Sequence, residues 1–138
     1  MKKFNDMSSS DIFKKLKFDG SKKSLIINAP AEYENLHAGA DFDSEYHPAN
    51  KGTYDFVQIF AISQQELEKL VARVFPGGKY DCMFWISYPK GGGKIKSDIK
   101  RDTVWEAMKI AGLRPVAQVA VDETWSALRG RPFEKVGK

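Results

Sequence analysis

Apolar residues in this chain fall into two spacings, and the switch between them marks the elements. Leu25-Ile26-Ile27 is a short continuous run between the turn-like Asp19-Gly20-Ser21 and Asn28-Ala29-Pro30. That pattern predicts a central strand buried on both faces. Tyr54 to Ile62 repeats it, with Phe56, Val57, Ile59, Phe60 and Ile62 interrupted by Gln58. Ser63-Gln64-Gln65-Glu66 then forms a capping-box sequence: the Ser63 hydroxyl can accept from the Glu66 amide, and the Glu66 carboxylate from the Ser63 amide. Behind it Leu67, Leu70, Val71, Val74 and Phe75 lie on one helical face, and Pro76-Gly77-Gly78 stops the helix. Cys82 to Tyr88 is a third strand, apolar almost throughout.

Past the loop 89–96 a helix is predicted to begin between Asp98 and Asp102, with Val104, Trp105, Met108 and Ala111 as its apolar face and Gly112 as its stop. Val116 to Val121 is a fourth strand, Asp122-Glu123 a turn, and Trp125 to Arg129 alternates as a strand near a sheet edge does. Before the first strand, Ser10 caps a short helix over 11–18 with Ile12, Phe13 and Leu16 on one face, ended by Gly20. Pro30 can start another short helix to Leu36, because the amide it lacks would be unbonded there. Residues 37–53 are rich in helix and strand breakers and read as loop, with one weak strand near Phe42 to Tyr46.

Alternating strands and amphipathic helices predict a three-layer α/β fold: a mostly parallel sheet with helices on both faces. The connection between the last two strands is too short for a crossover, so the final strand is antiparallel. The predicted core is Ile26, Ile27, Phe56, Val57, Ile59, Leu67, Leu70, Val71, Val74, Phe84, Ile86, Val104, Met108, Val119 and Val121. The length of 138 residues fits one domain, placed at 11–133 between a loose N-terminal tail (1–10) and a C-terminal tail (134–138). No apolar run approaches the roughly 20 residues of a membrane helix. With no secretory signal either, a cytoplasmic protein is expected. The single cysteine, Cys82, excludes an internal disulfide and a Cys-cluster zinc site.

The net charge of +4 matters less than its distribution. Lys90, Lys94, Lys96, Lys100 and Arg101 surround Gly91-Gly92-Gly93, a loop between a strand and a helix. Glycines let backbone amides turn inward, and a helix start favours anions. The loop is not a Walker P-loop, because Lys94 is followed by Ile95 and the glycine spacing differs. With Asn28 at the end of the first strand, Lys90, Lys94, Lys96 and Arg101 are the candidate anion-binding residues; the competing reading is a solvated, flexible loop. Asp98 and Asp102 at the helix start, and Asp122 and Glu123 at the turn, are further crevice candidates, each equally explained as capping or turn residues. Trp105 and Trp125 read as core or interface residues and Cys82 as a buried, inert thiol. His37 and His47 lie in an acidic loop without metal-ligand spacing, so no metal is expected. The basic balance permits nucleic-acid contact, but no recognition signature accompanies it, and no specific nucleic-acid or membrane partner is expected.

Two resemblances follow from these strings. Tyr54-Asp55-Phe56-Val57, the helix to Phe75, Pro76-Gly77-Gly78 and Met83 to Pro89 resemble the second half of a class I methyltransferase. The likeness spans about residues 54–131 and implies a reduced, Rossmann-type sheet closed by an antiparallel hairpin. Four other strings are similar to a family of small bacterial proteins with no established reaction. They are Asn28-Ala29-Pro30, Trp85 to Lys90, the Asp98 to Trp105 segment and Asp122 to Arg129. Methyltransferases hold their cofactor on a glycine-rich turn after the first strand; here that turn, Asn28-Ala29-Pro30-Ala31-Glu32, has no glycine. Asp41, Asp43 or Glu45 could stand where the ribose-binding carboxylate would be. The loop Ala61-Ile62-Ser63-Gln64 lacks the Asp/Asn-Pro-Pro-aromatic motif of amine methylation. The sequence therefore predicts no cofactor, S-adenosylmethionine included. It predicts a non-enzymatic or degenerate protein that binds a small anion or a protein partner. The alternative is a small-molecule enzyme of methyltransferase-like fold with its site at the strand C-terminal ends.

Overall fold

The computed structural model describes residues 12–19, 21–31, 33 and 42–136. Five strands form one sheet: β1 (Ser24–Ile27), β2 (Tyr54–Phe60), β3 (Gly78–Pro89), β4 (Leu113–Ala120) and β5 (Trp125–Pro132). Two long helices, α1 (Gln64–Val74) and α2 (Arg101–Ile110), connect β2 to β3 and β3 to β4. The spatial order is β1-β2-β3-β5-β4. β1, β2 and β3 are parallel, and β5 runs antiparallel to both β3 and β4. This is the mixed, Rossmann-type sheet that the alternation of elements predicts.

Because successive strand residues face opposite ways, the two sheet faces carry two cores. One packs Leu25, Val57, Ile59, Phe84, Ile86 and Leu128 against Leu67, Val71, Val74, Val104 and Met108 of α1 and α2. The other packs Ile26, Phe56, Phe60, Trp85 and Ala127 against Ile12 and Leu16 of the helical segment 12–16 and against Tyr33. The Trp85 indole donates to the Leu16 carbonyl at 2.9 Å, which fixes that segment on the sheet. Gln58 lies on the same face with no exposed surface; it accepts from the Tyr33 hydroxyl (2.6 Å) and donates to the Ser87 hydroxyl (2.9 Å). Of the predicted core only Val119 is half-buried rather than buried.

As its alternation predicts, β5 lies near a sheet edge, one strand in from the edge strand β4. Arg129 and Arg131 on β5 are both half-buried, and Arg131 pairs with Asp81 through Nε (3.0 Å) and a terminal nitrogen (2.7 Å). Other expectations are corrected. Pro115 lies inside β4, as an edge strand allows. A register shift between Pro115 and Ala117 leaves Val116 40% exposed. β3 begins at Gly78 rather than Cys82, with Asp81 in the left-handed region (φ 58°) where its register with β2 shifts. The weak strand at 42–46 reduces to a bridge in which Asp43 exchanges backbone hydrogen bonds with Ser24 and Ile26 on the outer side of β1. Lys17, at φ 59°, follows the helical segment 12–16, and Gly20 lies outside the described residues. The predicted helix from Pro30 is helical at 31 and 33, and 34–36 lie outside the described residues. Trp105 is 39% exposed, with the Lys109 ammonium 5.2 Å from its ring centroid, and is not core.

Candidate functional site

In an open parallel sheet the crevice lies beyond the carboxyl ends of the strands, where successive connections leave toward opposite faces. Here β1 leads to the Tyr33 side and β2 to α1, so the divergence falls between those two strands. A cavity of about 410 Å³ opens there, bordered by Asn28, Pro30, Ile62, Glu66, Ile95 and Trp125. Trp125 meets Phe60 edge-on, with ring centroids 5.1 Å apart, which makes a rigid apolar wall.

Asn28 has φ 61°. It occupies the left-handed conformation that glycine supplies at such turns and that asparagine tolerates better than other L residues. The absence of glycine in the sequence therefore does not mean the absence of the turn geometry. The connection from β2 begins as its capping box predicts: the Ser63 hydroxyl accepts from the Glu66 amide at 3.2 Å. The Glu66 carboxylate reaches the Ile62 amide (3.2 Å) rather than that of Ser63. The loop after β3 is bonded to the same corner. The Ser97 hydroxyl donates to the Ile62 carbonyl, and Asp98 accepts from the Gln64 amide at 2.8 Å.

The glycine loop is thus tied at both ends. Lys90 donates its amide to the Thr124 carbonyl (2.8 Å), and Ser97 and Asp98 anchor the far end on the connection from β2 to α1. Ile95, between them, packs against the core under Trp125. Of the predicted anion residues, Asn28 borders the crevice, while Lys90 and Arg101 border a separate recess over β3 and β5. Lys96 borders a recess of about 470 Å³ formed by the glycine loop itself, and Lys94 is exposed. Asp98 is occupied in capping α1, Asp102 is exposed in the first turn of α2, and Glu123 is exposed. Asp122 accepts from the Thr124 and Trp125 amides, both at 2.8 Å, and shapes the turn into β5. Asp43 is hydrogen-bonded to the Tyr54 hydroxyl at the start of β2, away from the carboxyl ends, and Asp41 lies outside the described residues. His37 also lies outside them, and His47 is exposed.

Sequence reasoning missed the apolar lining, Ile62, Ile95 and Trp125, and the carboxylate Glu66 at its rim. Their signal was present: Ile62 is an apolar residue directly before a capping serine, and Ile95 stands alone among lysines and glycines. A second cavity, of about 470 Å³, lies at the opposite edge among Phe75, Cys82, Phe84, Leu113, Gly130 and Pro132. Burial pushes the Cys82 thiol there up to about 12, so it is protonated and inert at neutral pH.

The fold and this crevice define a methyltransferase-like domain of Rossmann type. Solved structures share it. A SAM-dependent methyltransferase from Aquifex aeolicus matches with TM-score 0.60 at 11% identity, over 88% of this chain and 88% of its own. Magnesium protoporphyrin IX methyltransferase from Synechocystis PCC 6803, solved with bound SAH, matches with TM-score 0.60 at 8% identity, over 92% of this chain and 83% of its own. The [4+2]-cyclase SpnF matches with TM-score 0.57 at 10% identity, over 92% and 81%. No family model matches the chain, and no curated protein does. At these identities the likeness is one of fold. It nonetheless corrects the expectation of a non-enzymatic protein without a cofactor. Nine-tenths of the chain follows the fold of SAM-dependent methyltransferases, one of them solved with SAH bound, and Asn28 takes up the left-handed conformation at the end of β1. No helix among the described residues is long and apolar enough to cross a membrane.

Proposed function

We propose that the chain is a small-molecule enzyme of methyltransferase-like fold that binds S-adenosylmethionine across the carboxyl ends of β1 and β2. The observation that carries this reading is the left-handed Asn28 at the end of β1, on the rim of a 410 Å³ cavity. That volume is in the range of small-ligand sites, roughly 300–1,000 Å³. The residues present suit the cofactor. Phe60, Ile62, Ile95 and Trp125 are flat or apolar surfaces against which an adenine ring can pack, and the Glu66 carboxylate brings negative charge toward a ligand with a sulfonium and an ammonium group. When bound, the cofactor supplies an electrophilic methyl group on a sulfonium. The chain's own part is to hold and shield. The tether of Ser97 and Asp98 keeps Ile95 at the crevice, where it excludes water.

Isothermal titration with S-adenosylmethionine tests the proposal. The wild-type protein is expected to bind with micromolar affinity. Asn28→Gly should stay within about threefold of it, because glycine adopts the same φ freely. Asn28→Val, whose branched side chain resists that conformation, should weaken binding about tenfold or more. A folded wild-type protein that gives no saturable heat up to millimolar cofactor contradicts the proposal.

A further inference from the structure

The carboxyl edge holds a second recess, of about 360 Å³, between the end of β3, the start of β5 and the first turn of α2. Its polar lining is Tyr88, Lys90, Lys100, Arg101, Gln118 and Ser126. The strand registers explain the convergence. Tyr88 pairs directly with Ser126, and Gln118 pairs with Leu128, two residues along β5. All three side chains therefore stand on the α2 face of the sheet.

Two features of the recess point to a ligand. The first is unspent hydrogen-bonding capacity. Tyr88 is 5% exposed and Ser126 7% exposed, neither hydroxyl is hydrogen-bonded among the described residues, and both oxygens keep open surface on the recess rather than being sealed in the core. Burial raises the Tyr88 phenol above its ordinary range, so at neutral pH it remains a proton donor. The second feature is charge. Lys90, Lys100 and Arg101 form no ion pair among the described residues, and no Asp or Glu borders the recess. Asp98, the carboxylate just before them in the chain, is already engaged with the Gln64 amide. The start of α2 adds its partial positive charge to the same place.

We infer that this recess is the anion subsite for the second substrate, taking a carboxylate or phosphate group on Arg101 and Lys90 with the Tyr88 and Ser126 hydroxyls as donors. The assignment to a substrate rests on the cofactor reading above. The cofactor crevice is a different cavity, walled by Phe60, Ile62 and Trp125. An anion-bearing substrate would thus sit on the same edge of the sheet as the methyl donor. Lys94 and Lys96 take no part, because neither borders the recess.

The test titrates the full chain with inorganic phosphate and, separately, with acetate, each with and without saturating S-adenosylmethionine. At least one anion should bind saturably at millimolar concentration, and the tighter of the two names the group recognised. Arg101→Ala should weaken that binding about tenfold. Tyr88→Phe and Ser126→Ala should each weaken it severalfold while keeping the fold, since both preserve most of the packing. The double change Lys94→Ala and Lys96→Ala should leave it within twofold. If neither anion binds, or if the double lysine change costs as much as Arg101→Ala, the subsite is overturned. Cofactor binding without anion binding overturns this inference and leaves the enzyme reading standing. Anion binding without cofactor binding confirms the recess and overturns its assignment to a second substrate.

Discussion

Asn28 shows what a residue can hide. A turn without glycine reads, in sequence, as a turn without close backbone approach. Yet asparagine reaches φ 61° here, because its short polar side chain tolerates the left-handed region. Cys82 was legible: a thiol at the head of an apolar strand is a buried thiol, and its acidity is suppressed accordingly. Gln58 was visible only as an interruption in an apolar run, and its reason is tertiary. It links Tyr33, from the connection after β1, to Ser87 of β3, so the crevice's floor and its entering segment are held by one buried chain of hydrogen bonds. Tyr33→Phe removes the donor and leaves the Gln58 carbonyl oxygen buried without it. Urea unfolding should show a loss of about 1–3 kcal/mol. A loss indistinguishable from zero would mean that this chain of bonds holds nothing in place.

The elements divide by how local their causes are. The α1 cap and its apolar face were legible because both are set by residues three and four apart. The tether of this corner to Ser97 and Asp98 was not, because those residues lie more than thirty positions away. β5 was read as a strand near a sheet edge, and it lies one strand in from the edge, beside β4. Alternation reports which face is buried and says nothing about how many neighbours a strand has. The glycine loop was open to two readings from composition alone; its tethers decide that its far end is anchored. Asp98→Ala removes the acceptor of the Gln64 amide. Hydrogen exchange at Gln64 should then become about fivefold faster or more, with a matching rise in loop cleavage by protease across 90–97. Unchanged exchange at Gln64 would show that the tether does not hold the loop.

At the scale of the whole molecule, the order of elements carried the fold. Parallel strands joined by helices, then a closing antiparallel pair, leave few topologies, and the observed β1-β2-β3-β5-β4 order is one of them. The two cores were half legible. On the α1 and α2 side the prediction took in the α1 face and the middles of β2 and β3 but left out Tyr54, Tyr88, Ile99, Leu113 and Leu128; on the other side it left out Leu16, Phe60 and Trp85, while Trp125 was read as core or interface. That second core depends on a short helical segment and on Tyr33, elements too brief to show a period. Among the described residues cavities lie at both ends of the strands, and the amino-edge cavity of about 470 Å³ rivals the carboxyl-edge crevice of about 410 Å³. The carboxyl-edge crevice is favoured because connections diverge above it and because Asn28 shapes its rim.

Backbone amide chemical shifts under titration with S-adenosylhomocysteine separate these two cavities directly. The account predicts saturable shifts at Asn28, Ala61, Ile62, Glu66 and Ile95, with Cys82, Leu113 and Gly130 unmoved. Shifts centred on Cys82, Leu113 and Gly130, or no saturable shift at all, would contradict it.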